Sequence, residues 1–219
     1  MMVRRLREMG LCAVLALALV VQVWMAAPAG AHPHAWIDLR STVVLNKAGQ
    51  AIALEQEWLF DDFYTAVATE ASDGAKGKKT DWMELAKTNL DSLKAYNYFT
   101  EIRSGGEKVT LGTVTDYDSE VRGGRLWMRF VVPFESPVDP KATDFSFSVF
   151  DPSYYIEILH MKGDVVAFRG PSATSCRGHI LTPTPTTEML LLAQAIDDNA
   201  KTNDGLGKLF AERVDISCR

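Results

Sequence analysis

The sequence predicts an α+β fold, mainly antiparallel β arranged as a sandwich or a strongly curved sheet, with two to three helices. Three observations predict it. Residues 36–45 alternate apolar and polar side chains, and turn chemistry at Asn46-Lys47-Ala48-Gly49-Gln50 leads into a second run, 51–59, as in a hairpin. Residues 101–170 hold several short alternating runs separated by Gly-, Pro- and Asp-bearing turns. Helical spacing of apolar residues is confined to stretches near 60–68, 81–93 and 187–196.

The chain opens on Arg4, Arg5 and Arg7, then an apolar run from Leu11 to Met25, then Ala29-Gly30-Ala31, the small-x-small pattern that signal peptidase accepts. Residues 1–31 therefore read as a cleavable export signal, and residues 32–219 as a single periplasmic domain. The surroundings of Arg4-Arg5 fit a twin-arginine motif poorly, so general secretion is expected. Removing the signal takes away three Arg and one Glu, and the formal charge falls from −5 to −7. An acidic product without a basic cluster argues against nucleic acid as a partner, because phosphate contacts need Lys and Arg. No later apolar run reaches membrane-spanning length, so the mature form is expected not to span a bilayer. Without cleavage, residues 11–27 would serve as an anchor.

Cleavage after Ala31 makes His32 the first residue. Its α-amine has a reference pKa of about 7.7–8, so a metal can displace the proton near neutral pH. Amine and imidazole Nδ1 of one residue then close a chelate ring, and His34 offers a second imidazole suited to Zn, Ni, Co or Cu. Pro33 has no amide proton to lose, which blocks the square-planar mode built on successive deprotonated amides. The remaining ligands have to come from elsewhere in the fold. The plain alternative is that His32 and His34 only begin a surface strand.

In the first strand, Ile37, Leu39, Val43 and Leu45 share one face, and Trp36, Asp38, Arg40 and Thr42 the other. The returning strand has Ile52, Leu54 and Trp58 on its inner face, with Gln56 as a polar exception and Glu55 and Glu57 facing out or lining a site. Phe60, Phe63, Tyr64 and Val67 then take helical spacing. Asp61 or Asp62 falls where a helix N-terminus wants an acceptor; the competing reading turns the Asp61 carboxylate toward a metal. Residues 71–80 read as a flexible connection. Asp81 followed by Glu84 is a capping-box pattern, opening a helix with the stripe Trp82, Leu85, Ala86, Leu90 and Leu93. Residues 107–117 and 125–134 read as strands, the second ended by Pro133, Pro137 and Pro140. Phe145, Phe147 and Val149 alternate in a further strand, and Asp151-Pro152-Ser153 breaks it before a strand from 154 to 161. His160 lies on the apolar face of that strand, either as a hydrogen-bonded core residue or as the distal ligand of a terminal metal. Residues 182–187 read as a linker, Thr186 caps a last helix, and 214–216 close the chain as a strand.

Cys12 leaves with the signal, so Cys176 and Cys218 remain as an even pair in an oxidising compartment and read as a disulfide. The rival is a pair of thiolate ligands, with His179 close to Cys176. His179, in a loop tied down at Cys176, is the second candidate for a distal imidazole. No Gly-rich phosphate loop, Gly-x-Ser-x-Gly elbow or His-Glu-x-x-His occurs. With four histidines, two of them at the terminus, a serine- or cysteine-hydrolase constellation is not expected.

His32-Pro33-His34-Ala35-Trp36-Ile37-Asp38 directly after a signal, Glu57-Trp58-Leu59-Phe60-Asp61-Asp62-Phe63, Phe150-Asp151-Pro152-Ser153-Tyr154-Tyr155, and Leu209-Phe210-Ala211-Glu212-Arg213 before Cys218 together carry a resemblance. The mature chain resembles an exported bacterial family of unknown function, described as the periplasmic component of an uncharacterised ABC-type transport system and found near nickel/cobalt-type permeases. That resemblance implies a metal-transport accessory protein with a membrane permease as partner, and carries His32, His34 and Asp61 over as functional positions. Two alternatives belong to other classes: a copper-dependent redox enzyme using His160 or His179 as distal imidazole, and a metal-free module docking a permease through aromatics around Trp58, Phe63 and Tyr64. Every chelate argument needs His32 at residue one. Intact-mass spectrometry of the exported protein is expected to give the mass of residues 32–219; any other N-terminus removes the amine–imidazole chelate.

Overall fold

Eleven strands and four helices form among the described residues. The computed structural model describes residues 33–76, 81–141, 144–171, 173–195 and 205–219. Residues 1–31, which the sequence reading takes as an export signal and which include Cys12, and His32 lie outside the described residues. In chain order the elements are β1 (Ala35–Leu45), β2 (Ala51–Phe60), α1 (Asp62–Lys76), α2 (Trp82–Leu93), β3 (Thr100–Ser104), β4 (Glu107–Lys108), β5 (Tyr117–Arg122) and β6 (Arg125–Val138). Then come β7 (Ser146–Val149), β8 (Ile156–His160), β9 (Val166–Arg169), β10 (Cys176–Leu181), α3 (Thr187–Ala195), α4 (Leu206–Phe210) and β11 (Arg213–Cys218). To these is added a kinked 3-10 segment at Lys94–Phe99. The class is α+β, as expected, with one helix more than the sequence suggested: α4, a single short helix opened by Gly205 at φ 118°.

One sheet has the order β5-β6-β2-β1-β8, with β9 also beside β1; the other has the order β10-β11-β7-β3-β4. All ladders are antiparallel except those of β1 with β8 and β9. The two sheets share one core. Ile37, Leu39, Trp58, Met128 and Phe130 contribute from the first; Ile102, Phe147, Val214 and Ile216 from the second. The predicted alternation of β1 is observed in full: Ala35, Ile37, Leu39, Ser41, Val43 and Leu45 are buried, and their neighbours are not. The hairpin turn is held by the Asn46 carboxamide oxygen, which accepts from the amides of Ala48 at 2.9 Å and Gln50 at 3.0 Å.

Gln56, the polar exception on the inner face of β2, is fully buried and satisfied. Trp58 Nε1 donates to its oxygen at 3.0 Å, and its amide donates to Thr100 Oγ1 at 2.7 Å. Trp58 itself is 1 % exposed, so it belongs to the core and not to a contact patch. Fully burying a side chain of this kind contributes about 1.5–3 kcal/mol relative to leaving it in water.

The structure departs from the sequence reading at further places, each for a physical reason. Glu55, read as facing out, is buried beneath Arg129 and Arg169, which pair with its carboxylate. The strand read from 154 begins only at Ile156, because Tyr154 takes φ 60°. Residues 71–76 continue α1 instead of opening a loop, since Ala-rich sequence keeps helical propensity despite Gly74. Residues 109–116 are not one strand; they cross from the second sheet to the first, with an isolated bridge between Leu111 and Phe134. Pro133 does not end β6, because the β2–β6 register slips between Ala51 and Ala53 and Pro133 lies opposite Ala53 at that irregularity. His179 is not in a loop: β10 pairs residue by residue with β11, which puts His179 opposite Asp215.

Cys176 and Cys218 face each other in that same ladder and form the expected disulfide, 42 residues apart in sequence. No helix of the described residues is long and apolar enough to cross a membrane. On the chain-entropy argument a loop of this length contributes roughly 3–4 kcal/mol. The urea midpoint is therefore expected to fall, and the unfolding free energy to drop by about that amount, in a Cys176→Ala, Cys218→Ala double variant or under reductant. An unchanged midpoint would show that strand pairing alone holds the C-terminus.

Candidate functional site

His34 precedes the head of β1 and is held there by the turn before β8. The His34 amide donates to Tyr155 O at 2.9 Å, and the two rings stack with centroids 4.6 Å apart at 26°. Tyr155 is positioned by the turn before β8. One Asp151 carboxylate oxygen accepts from the Ser153 amide at 2.9 Å and hydroxyl at 2.8 Å, and the other accepts from the Ile156 amide at 3.0 Å. Tyr154 then adopts φ 60°, which sends its ring against Phe210 (4.1 Å, 15°) while Tyr155 covers His34. Gly207 backs this turn at a distance no side chain tolerates: a Cβ there would lie 1.8 Å from Asp151 O. Burial, with the adjacent Glu157 carboxylate, pushes the Tyr154 hydroxyl up to about 12, so it stays protonated.

Asp61 comes to the same end of β1. Its carboxylate accepts from the Trp36 amide at 2.8 Å through one oxygen and from the Tyr64 amide at 2.8 Å through the other. The second bond is the helix cap expected for α1; the first ties the cap to the residue two beyond His34. Burial raises the Tyr64 hydroxyl, Asn89 partly offsets it through a hydrogen bond, and the nearby Asp61 and Tyr155 raise it further. Around this cluster Trp36, Phe63 and Tyr155 are 47 %, 70 % and 48 % exposed.

The other candidates lie elsewhere. The parallel register sets Leu39 beside His160, five residues along β1 from the level of His34, roughly 16 Å at ~3.3 Å per residue. Both ring nitrogens of His160 are engaged: Nδ1 with Glu212 at 2.8 Å and Nε2 with Ser41 Oγ at 3.0 Å. His179 is further still, since its neighbour Gly178 packs on Val166, which pairs with Ser41. Of the five candidate ligands the structure thus gathers His34 and Asp61 at one end of β1, and separates His160 and His179 from them. Among the described residues, no group of three His, Cys, Asp or Glu side chains is arranged to hold a metal ion.

Ser41, His160 and Glu212 stand in the hydrogen-bond order of a serine–histidine–acid relay, a juxtaposition the sequence reading did not expect. Glu212 follows α4 and Ser41 lies on β1, 119 positions from His160, so no local spacing announces the trio. Ser41 is 1 % exposed and the His160 side chain 3 %, which leaves the hydroxyl no open face for a substrate. The trio acts as an internal tie from the first sheet to the start of β11. Burial alone would raise the Glu212 carboxyl, but hydrogen bonds from the His160 ring and amide, and from Thr182, outweigh it and hold the group below the usual carboxylate range.

A depressed folded-state value means the carboxylate stabilises the fold above about pH 4.3, the ordinary glutamate value, and that contribution is lost as pH falls through the folded value. Glu212→Gln is accordingly expected to unfold at lower urea than wild type at pH 7, with the gap closing as pH falls below the ordinary glutamate value of about 4.3. A gap independent of pH would place the stabilisation outside the carboxylate charge.

Two relatives put this geometry in context. An uncharacterized protein of Haemophilus influenzae is 26 % identical over 191 residues, 86 % of this chain and 91 % of that protein. The "Uncharacterized 15.5 kDa protein in trpE 3'region" of Spirochaeta aurantia is 31 % identical over 85 residues, 39 % of this chain, which spans 60 % of that protein. A family model matches residues 16–218, and the chain belongs to that family, described as protein of unknown function (DUF1007).

Proposed function

We propose that the exported chain is a periplasmic accessory protein of a transport system. In this reading it binds one divalent transition metal (Zn, Ni, Co or Cu) at its mature N-terminus and presents it to a membrane permease. His32 contributes amine and ring, His34 a second imidazole, and Asp61 an oxygen. The observation that carries the reading is the anchoring of His34: backbone and ring are both fixed against Tyr155, and the Asp61 carboxylate sits at the amide two residues on. A site preorganised on a strand loses less freedom on binding than a tail does. Each Asp61 oxygen accepts one amide and keeps acceptor capacity for a cation.

The geometry gives no comparable support to the copper redox alternative, because His160 lies well along β1 from His34 with both ring nitrogens engaged, and His179 lies on β10 in the other sheet. A docking role for the aromatics is compatible with the metal site, with Trp36 and Tyr155 taking the place first assigned to Trp58.

Calorimetric titration of the authentic His32 protein with each metal separates these readings. One equivalent is expected to bind, with affinity at least tenfold weaker in His32→Ala, in His34→Ala, in Asp61→Asn and in a form extended by one residue at the N-terminus. His160→Phe is expected to bind as wild type if it folds. Equal binding by the extended form and by His34→Ala would overturn the terminal site.

A further inference from the structure

A second site lies where Tyr96, Asn97, Phe99 to Ile102, Lys108 to Leu111, Phe150 and Pro152 line a cleft of about 300 Å³. That is the lower end of the size range of small-molecule pockets. Its floor is unusual backbone. Asn97, Tyr98 and Phe99 are three successive non-glycine residues in the left-handed region, at φ 52°, 54° and 56°. Strained backbone of this kind persists only where its surroundings over-determine it, and such segments cluster at ligand sites.

Here the surroundings can be named. The Val114 amide donates to the Tyr98 hydroxyl at 3.1 Å, and the Thr100 hydroxyl donates to Tyr98 O at 2.8 Å. Thr100 in turn accepts from Gln56, and Gln56 from Trp58, so the turn rests on a buried chain of hydrogen bonds. The Phe150 amide donates to Phe99 O at 2.8 Å and closes the wall. The turn leaves Tyr96 standing 57 % exposed at the rim, its ring centroid 6.2 Å from that of Phe99.

The charge at the mouth favours an anion. Glu101, which lines the cleft, is met by Lys108 Nζ at 2.8 Å, Lys208 Nζ at 2.8 Å and Arg103 Nε at 2.9 Å. Although burial acts to raise it, these three cations hold the Glu101 carboxyl down at about 2, so it stays ionised and cancels only one of them. Each ammonium has three donors and spends one on Glu101. The excess positive charge is conspicuous on a chain whose net charge is negative.

We propose that this cleft binds a small planar aromatic anion, the ring against Tyr96 and Phe99 and the anionic group on Lys108 and Lys208. Nothing in the terminal metal site is needed for it.

Titration of the full mature protein with 2-naphthoate, followed by amide NMR shifts, tests it. Saturable shifts are expected at residues 96–102 and 108–111. Affinity is expected to fall at least tenfold in Lys108→Glu and in Tyr96→Ala, and for the neutral probe 2-naphthamide. Both substituted side chains are exposed, and an unchanged amide spectrum outside the cleft checks the fold of each variant. Shifts centred on Trp36 and Phe63, no saturation, or equal affinity in Lys108→Glu would each overturn the proposal.

Discussion

β1 has no free edge, and much of the structure follows from that. A strand inside a sheet has to pair its N–H and C=O groups on both sides, because water cannot reach them. β2 supplies one side through a tight hairpin. The other side is filled in two halves, β8 along residues 35–39 and β9 along residues 41–44, both parallel. Parallel partners need long crossovers. The chain between β2 and β8 makes use of the distance: it carries α1, α2 and most of the second sheet, so closing one strand's edge forces the sandwich into being.

Between the sheets, polar groups have to be matched as carefully as apolar ones. Gln56 reaches Thr100 on the first strand of the second sheet, and His160 reaches Glu212 just ahead of its β11. Leaving one partner of such a buried bond unsatisfied costs about 1–3 kcal/mol, whereas the bond itself contributes less than that. These contacts therefore select one way of stacking the sheets more than they add stability. They also explain why residues 97–99 tolerate a left-handed turn at roughly 1–2 kcal/mol per residue: the Gln56 chain fixes the Tyr98 carbonyl through Thr100, while the Val114 amide fixes the Tyr98 hydroxyl.

The two candidate sites both border the Asp151 turn. The turn directs Tyr155 over His34, and Phe150 and Pro152 wall the cleft floored by residues 97–99. Gly205 and Gly207 donate their amides to Pro152 O at 3.3 and 3.1 Å, which couples the turn to the C-terminal segment that ends in the disulfide. A few short-range hydrogen bonds from Asp151 thus set the direction of residues in both places.

Local periodicity was enough to read the alternation of β1, the capped helix at Asp81, the helix beginning at Thr187 and the pairing of Cys176 with Cys218. Each rests on neighbours in sequence or, for the cysteines, on there being one partner left. The same reading offered two roles for Asp61, of which the cap is seen. It could not find the relay of Ser41, His160 and Glu212, or the separation of His160 from His34. It also missed the cleft at Tyr96. Those depend on register between strands far apart in the chain: a parallel ladder decides which residue of β8 stands beside His34, and a one-residue slip would turn every side chain to the other face. Period and composition say which face of a strand is buried. Only the assembled sheets decide what that face meets, because the energy that fixes register comes from contacts across the sandwich and not from the strand itself.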